Sequence, residues 1–509
     1  PYEETPTAGA ATGTTGSITA VHVNVENNIT TTAASTVLSV AAGGLGVNGN
    51  ALLVFNNTVA YAAINKMPVT ATGNINVDAY MDSQAESVLA AATVGTFSVG
   101  VTVSYVRLGS ENVAMIDTTG VTVKANNIYV YAGRDAEGQR NRSSASSTAL
   151  AASVGMIAVN LNAAVADNDT VNNAVIQGSG NVIADAALRV GANAIATANA
   201  QVIGIDYGAA SVAGSFAVAL LRGEQRAAIS GGDIKAGSLE VVSRLNDNAS
   251  ESSVAKLFTG SGGLITVGAN VAVAYGRSRS LAEINAASVN ITGTSGSIKV
   301  GSYGAAGVLS EIKHISLSLA SITANAMVGV AYSQATFAAA LTIPQGSTVT
   351  AASVDIETLY TTSAKADVTP SAGGVQTSLA TIGVNLALAN AGSDASALLN
   401  GKGILSAGSV KVNADGTATA HALTRTPTIS VNIANIAANT VVAILSASQE
   451  AGIEGVTINT SGDGEVKSTF NNGEKEGAIA ELGGHFASAG LDLSLYSVDV
   501  NTAVAKNKA

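Results

Sequence analysis

The chain has 509 residues, a net charge of −11, no Cys, no Trp and only 12% charged residues. Those figures exclude a disulfide framework and a basic stripe for nucleic acid. The 47% hydrophobic share is mostly Ala and Val, with 4% aromatics and six prolines. Small and β-branched side chains suit thin, closely stacked sheets, and few prolines leave long hydrogen-bonded strands possible. No signal peptide opens the chain, and its first residue is Pro1, which reads as a processed chain or a fragment.

In chain order, the first element is a lone alternating segment, Ile18-Thr19-Ala20-Val21-His22-Val23-Asn24-Val25. A unit of about 56 residues then recurs. It opens with a period-two strand, as in Phe97–Tyr105, Val154–Leu161, Gly214–Leu220, Asn270–Tyr275 and Ile382–Leu388. A polar loop is expected next, such as Asp167–Thr170 or Gly276–Arg279. A small-apolar cluster follows and ends at Ile64, Ile116, Ile176, Ile229, Ile284, Leu341, Leu399 and Ile453. A short strand such as Val121-Thr122-Val123 comes after a Gly, Ser or Asn turn. Then comes the most regular strand, starting at Ile75, Ile128, Leu188, Leu239, Ile298, Val354 and Val410, with a degraded copy at Val466. A Ser/Ala/Asp tail such as Ser144–Ala151 leads to the next copy.

This grammar predicts an all-β, elongated repeat array: a β-solenoid of about eight repeats of roughly 56 residues. The unit is either one wide coil or two or three smaller ones. Ladders of Val, Ile and Ala are expected to fill the core, with Thr, Ser and Asn ladders outside. The expected divisions are an N-terminal segment over 1–35, a continuous array over 36–470, and a polar loop with a terminal strand over 471–509. Ala149–Ala166 is apolar but holds Asn160 and Asn162 and alternates by face, so it fails as a transmembrane helix.

Little here signals chemistry. His22, His314, His421 and His485 lie far apart, and no nucleophile elbow or P-loop occurs. Asp167, Asp169, Asp463 and Glu465 are the candidates for calcium, though they match no calcium-loop pattern. Asp355 and Glu357 share a strand face and read as exposed charge. No catalytic residue and no other cofactor is expected.

The ends suggest assembly. Ile18, Val21, Val23 and Val25 lie at one end, and Leu491, Leu493, Leu495, Val498 and Val500 at the other. Strands of this kind, without capping helices, read as truncation or as joints that complete the sheet of the next copy. The Val-x-Val-Ala-Tyr-like strand, Ala-x-Ile cluster and Val-x-Val-x-Ala strand resemble the β-strand repeats of large secreted bacterial adhesins. These are of the leukotoxin and filamentous-haemagglutinin types. The resemblance spans about residues 40–470 and implies an extracellular or cell-surface β-helical fibre without catalytic residues. The expected function is therefore a self-associating subunit of a bacterial fibre, sheath or coat, or else the stalk of a larger adhesin. Copies of the chain are the expected partners, with a host or cell-surface ligand as a further possibility and no nucleic acid.

Overall fold

The computed structural model describes residues 16–134, 140–247, 252–292, 296–316, 319–369, 375–425, 429–471, 477–482 and 491–508. Among the described residues, twenty-one strands form one continuous sheet. Every strand pairs in parallel with the strand one repeat away, as Val23 with Ile75 and Ile298 with Val354. The one antiparallel contact among the described residues is an isolated bridge between Arg134 and Arg140. The repeat is thus a single wide coil.

Registers follow the repeated clusters. Ile64, Ile116, Ile176, Ile229, Ile284, Leu341, Leu399 and Ile453 form one ladder. The opening strand makes another, through Val47, Val99, Val159, Val212, Val267, Ala324, Ile382, Ile436 and Val498. The last copy of the regular strand is offset. Gly464 stacks on Val410, and Val466 on Val412. A two-residue offset keeps the same face inward, so the pattern tolerates it.

Each coil is a flattened loop with a head and an arm. In the head, three segments enclose a dry core, as Ala60-x-Ala62-x-Ile64, Val69-x-Ala71 and Ile75-x-Val77-x-Ala79 do in one coil. The corner between the first two segments uses left-handed glycines in several coils. A Cβ on Gly231 (φ 81°) would sit 2.7 Å from the carbonyl oxygen of Gly178 in the coil beside it, so the corners stack only because they lack side chains. In the arm, the outgoing and returning segments lie face to face, and much of the buried lining is Ala, from Ala145 and Ala149 to Ala420 and Ala422.

Two expected loops are strands. Asp167–Thr170 lies within Asn141–Gln177, and Gly276–Arg279 within Ile265–Asn285. Ser144–Ala151, expected as a tail, belongs to the layer of the arm that leaves the head and faces the opening strand. Their polarity is accommodated because small side chains fit between the layers while charged ones point outward. Val23–Asn65 is one continuous strand of the first coil and runs across position 35, while positions 1–15 lie outside the described residues. Of the polar loop expected after 470, positions 472–476 lie outside the described residues.

The expectation of an apolar inside and a polar outside holds in the head and reverses in the outer arm. Ser98, Thr102, Ser104, Asn160, Asn162 and Asn270 point inward and are buried. Opposed layers meet through pairs of hydroxyls: Ser87 with Ser104 at 2.7 Å, Ser104 with Ser147 at 2.8 Å and Ser98 with Ser153 at 2.7 Å. One inward ladder is of amides, where Asn385 donates to Asn439 at 2.8 Å and Asn439 to Asn501 at 2.9 Å. The reversal is a change of phase. Phe97 to Tyr105 put their apolar side chains outward; from Val106 and Leu108 onward they turn inward. The adjacent apolar pair Tyr105-Val106 marks the switch.

Candidate interaction surfaces

The outer arm presents an apolar sheet face to solvent. In three coils it reads Phe97, Val99, Val101, Val103, Tyr105; then Ile157, Val159, Leu161, Ala163, Val165; then Ile265, Val267, Ala269, Val271, Val273. Phe97 is 49% exposed, Ile157 42%, Phe216 43% and Ile265 49%, with a coil stacked on each side. The five ladders run through nine coils without one Asp, Glu, Lys, Arg or His. Thr440 and Thr502 are their only aliphatic hydroxyls. Soluble proteins rarely expose contiguous apolar surface beyond a few hundred Å².

Charge begins at the next two ladders, and it is mixed in sign. Asp167 accepts a hydrogen bond from Arg222 at 2.7 Å, and Asp169 lies 3.6 Å from the same guanidinium. Beyond those two ladders, nearer the head, Arg279 pairs with Glu224 at 3.6 Å and Arg226 with Glu283 at 3.4 Å. The calcium candidates Asp167 and Asp169 are therefore already engaged by an arginine. Asp463 lies at an exposed turn, and Glu465 sits on the outward face beside Lys411. Among the described residues, no group of three or more His, Asp or Glu could hold a metal ion.

The regular strand carries a second outward pattern. Arg189, Glu240, Lys299, Asp355, Lys411 and Glu465 occupy one ladder, so the sign alternates from coil to coil. Identical repeats would stack like charges at about 4.8 Å; alternation removes that repulsion. Around this ladder lies an arginine–tyrosine cluster. Arg134 sits 4.8 Å over the Tyr131 ring and Arg244 4.5 Å over Tyr303. Tyr131, Arg134, Arg189, Glu240 and Arg244 line a small cleft there. The Tyr303 hydroxyl donates to Glu357 at 2.9 Å, and burial beside that carboxylate pushes its pKa up.

The expected assembly strands are integrated into the stack. Ile18 pairs with Val69, Val23 with Ile75 and Val25 with Val77, while Val21 lies at an exposed bend. At the other end, Leu491–Lys508 pairs with Ile429–Glu454, placing Leu491 beside Ile429, Leu493 beside Val431, Val498 beside Ile436 and Val500 beside Ala438. Leu495 lies within the same strand. Two buried ionisable groups were not foreseen. His314 lies inside the arm with Thr259 Oγ1 at 2.9 Å and Ser261 Oγ at 3.3 Å, and burial pushes its pKa down to about 4. Burial pushes Asp206 up to about 7, with the Asn160 side chain pulling the other way.

No family model, curated protein or solved structure matches this chain. No described helix is long and apolar enough to cross a membrane. Outer-membrane barrels are built from antiparallel neighbours, whereas the described strands pair in parallel.

Proposed function

We propose that the chain is an extracellular structural protein, one subunit of a self-associating bacterial surface fibre, sheath or coat. The observation that carries this reading is the parallel stack itself, in which long runs of residues meet their counterparts one repeat away in a constant register. A stack of this kind distributes its surfaces evenly along its length and concentrates chemistry nowhere. Hydrogen bonds along the axis resist extension and leave few local openings for proteases. The likeness of the repeats to secreted adhesins supports an extracellular setting. This reading assigns no catalytic step and no cofactor to the chain. Electron microscopy of the purified chain over a concentration series tests it. Uniform fibres or sheets that grow with concentration are expected. Single rods of one chain's length at every concentration would overturn self-association and favour an adhesin stalk.

A further inference from the structure

We propose that two copies of this chain pack side by side through the uncharged outer-arm face, sheet against sheet. The pairing deepens the self-association reading and rests on it. Nine rungs at about 4.8 Å and eight residue steps at about 3.3 Å outline a face of roughly 1,000 Å². A stable complex needs about 800 Å² from each partner, so this face is sufficient alone.

Three features favour a second copy as the occupant. The surface is a regular array of rungs about 4.8 Å apart, and another such sheet has the same spacing. Two sheets of this kind interlock like the halves of a β-sandwich. The small ladder positions Gly214, Ala269 and Ala326 form a trough beside the bulkier row of Phe216, Val271 and Val328, which gives ridges and grooves to engage. The bordering charges are of both signs, with Arg222 of one coil paired to Asp167 and Asp169 of the coil beside it, and the net charge is −11. An anionic lipid surface would instead call for a basic border. The inward side of the same strands is polar, with Ser, Thr and Asn. Most of the bulky apolar residues of these outer-arm strands therefore face outward, toward an external partner.

Sedimentation of the full chain tests the pairing. Wild type is expected to show a monomer–dimer equilibrium at micromolar concentration. Val159→Lys with Val267→Lys should weaken it about a hundredfold, because two ammonium groups would be buried in an apolar interface. Both positions point outward, and an unchanged circular dichroism spectrum and melting temperature would show that the fold survives. A charge swap guards against misfolding: Val212→Lys and Val212→Glu copies should each be monomeric alone and recover pairs when mixed. A wild type that stays monomeric throughout, or lysine variants that still pair, would overturn the proposal. So would a monomer that floats with neutral phosphatidylcholine vesicles, since lipid would then be the occupant. Fibres that persist in the lysine variants would reject this pairing while sparing self-association. Pairs without fibres would keep this pairing and overturn only assembly into a fibre, sheath or coat.

Discussion

Single residues in a parallel stack meet near-copies of themselves, so burial and like charge act together on their ionisation. Asp206 is 2% exposed and burial holds its pKa near 7. Asp78 reaches a similar value through burial, reinforced by Glu26 in the adjacent rung. Both pKa values are raised in the folded state, so between pH 3.8 and about 7 the folded chain binds more protons than the unfolded one. The stability these groups contribute is full below pH 3.8 and is lost as the pH rises through about 7. Asp206→Asn should therefore raise stability at pH 8 by ~3 kcal/mol and leave it nearly unchanged at pH 4. Urea titrations at the two pH values check this, and an equal change at both would show that ionisation is not the cause. His314 acts in the opposite sense. Its pKa is lowered from 6.5 to about 4, so the unfolded chain binds the extra proton and stability falls as the pH drops through that window. His314→Gln should flatten the acid limb of the profile, with the midpoint at pH 7 shifted less than that at pH 4.5.

At the scale of the element, each strand is constrained by the rungs on either side. Tyr360 and Phe337 stack at 5.3 Å inside the arm, in a cluster whose other buried members are Ala306, Ala335 and Ala395. Room for them comes from glycine in the adjoining rungs, because Gly304 and Gly416 flank Tyr360 in its ladder. A Cβ on Gly416 would lie 2.0 Å from Tyr360 Cε1, and one on Gly304 2.1 Å from Phe337 Cε1. Gly416→Ala should destabilise by about 1–3 kcal/mol, and Gly416→Ala with Tyr360→Ala by less than the sum of the singles, as a double-mutant cycle would show. Proline at Val190 or Val300 removes a ladder hydrogen bond in the middle of the regular strand. It should lower the melting temperature and open a new site to limited proteolysis. Unchanged melting and digestion would contradict the stack.

Much of this organisation was legible along the chain, and what was not has a physical cause. The clusters ending at Ile64 through Ile453 mark the rungs directly, since parallel stacking repeats the same local environment at every copy. Alternation also identified the opening strands, but period two does not say which face is inside. The general expectation that Val ladders fill the core does not hold for Val99, Val101 and Val103, whose side chains point outward. The change of phase at Tyr105-Val106 could have revealed the switch. It recurs at Val165-Ala166, Val273-Ala274 and Val330-Ala331. Asp167–Thr170 looked like a loop because its polarity was counted without regard to face; Asp167 and Asp169 point outward to Arg222, while Asn168 and Thr170 are buried against Ser143. The alternating charges from Arg189 to Glu465 sit in the very strands that revealed the repeat, yet their meaning appears only once the rungs are stacked.

For the whole molecule, the stack implies that coils are close to interchangeable, with stability arising from each coil and its two interfaces. Deleting residues 75–127 joins Asn74 to Ile128. The register pairs Asn74 with Asn127 and Ile75 with Ile128, so the junction reproduces the native step. Ile128 then takes the place of Ile75 on Val23, and Asn160 takes that of Gly100 on Asn48. The shortened chain should fold, keep the same circular dichroism per residue, and lose about 4.8 Å of length by small-angle scattering. Its melting temperature should change by only a few degrees. Deleting 75–100 removes only part of a coil. It forces the remainder out of register, so apolar head residues such as Ile116 lose their ladder partners. That chain should melt far lower or aggregate. Equal damage from the two deletions would mean that the coils are not modular. A tolerated whole-coil deletion that also weakens pairing between copies would show that the outer-arm face is built up coil by coil.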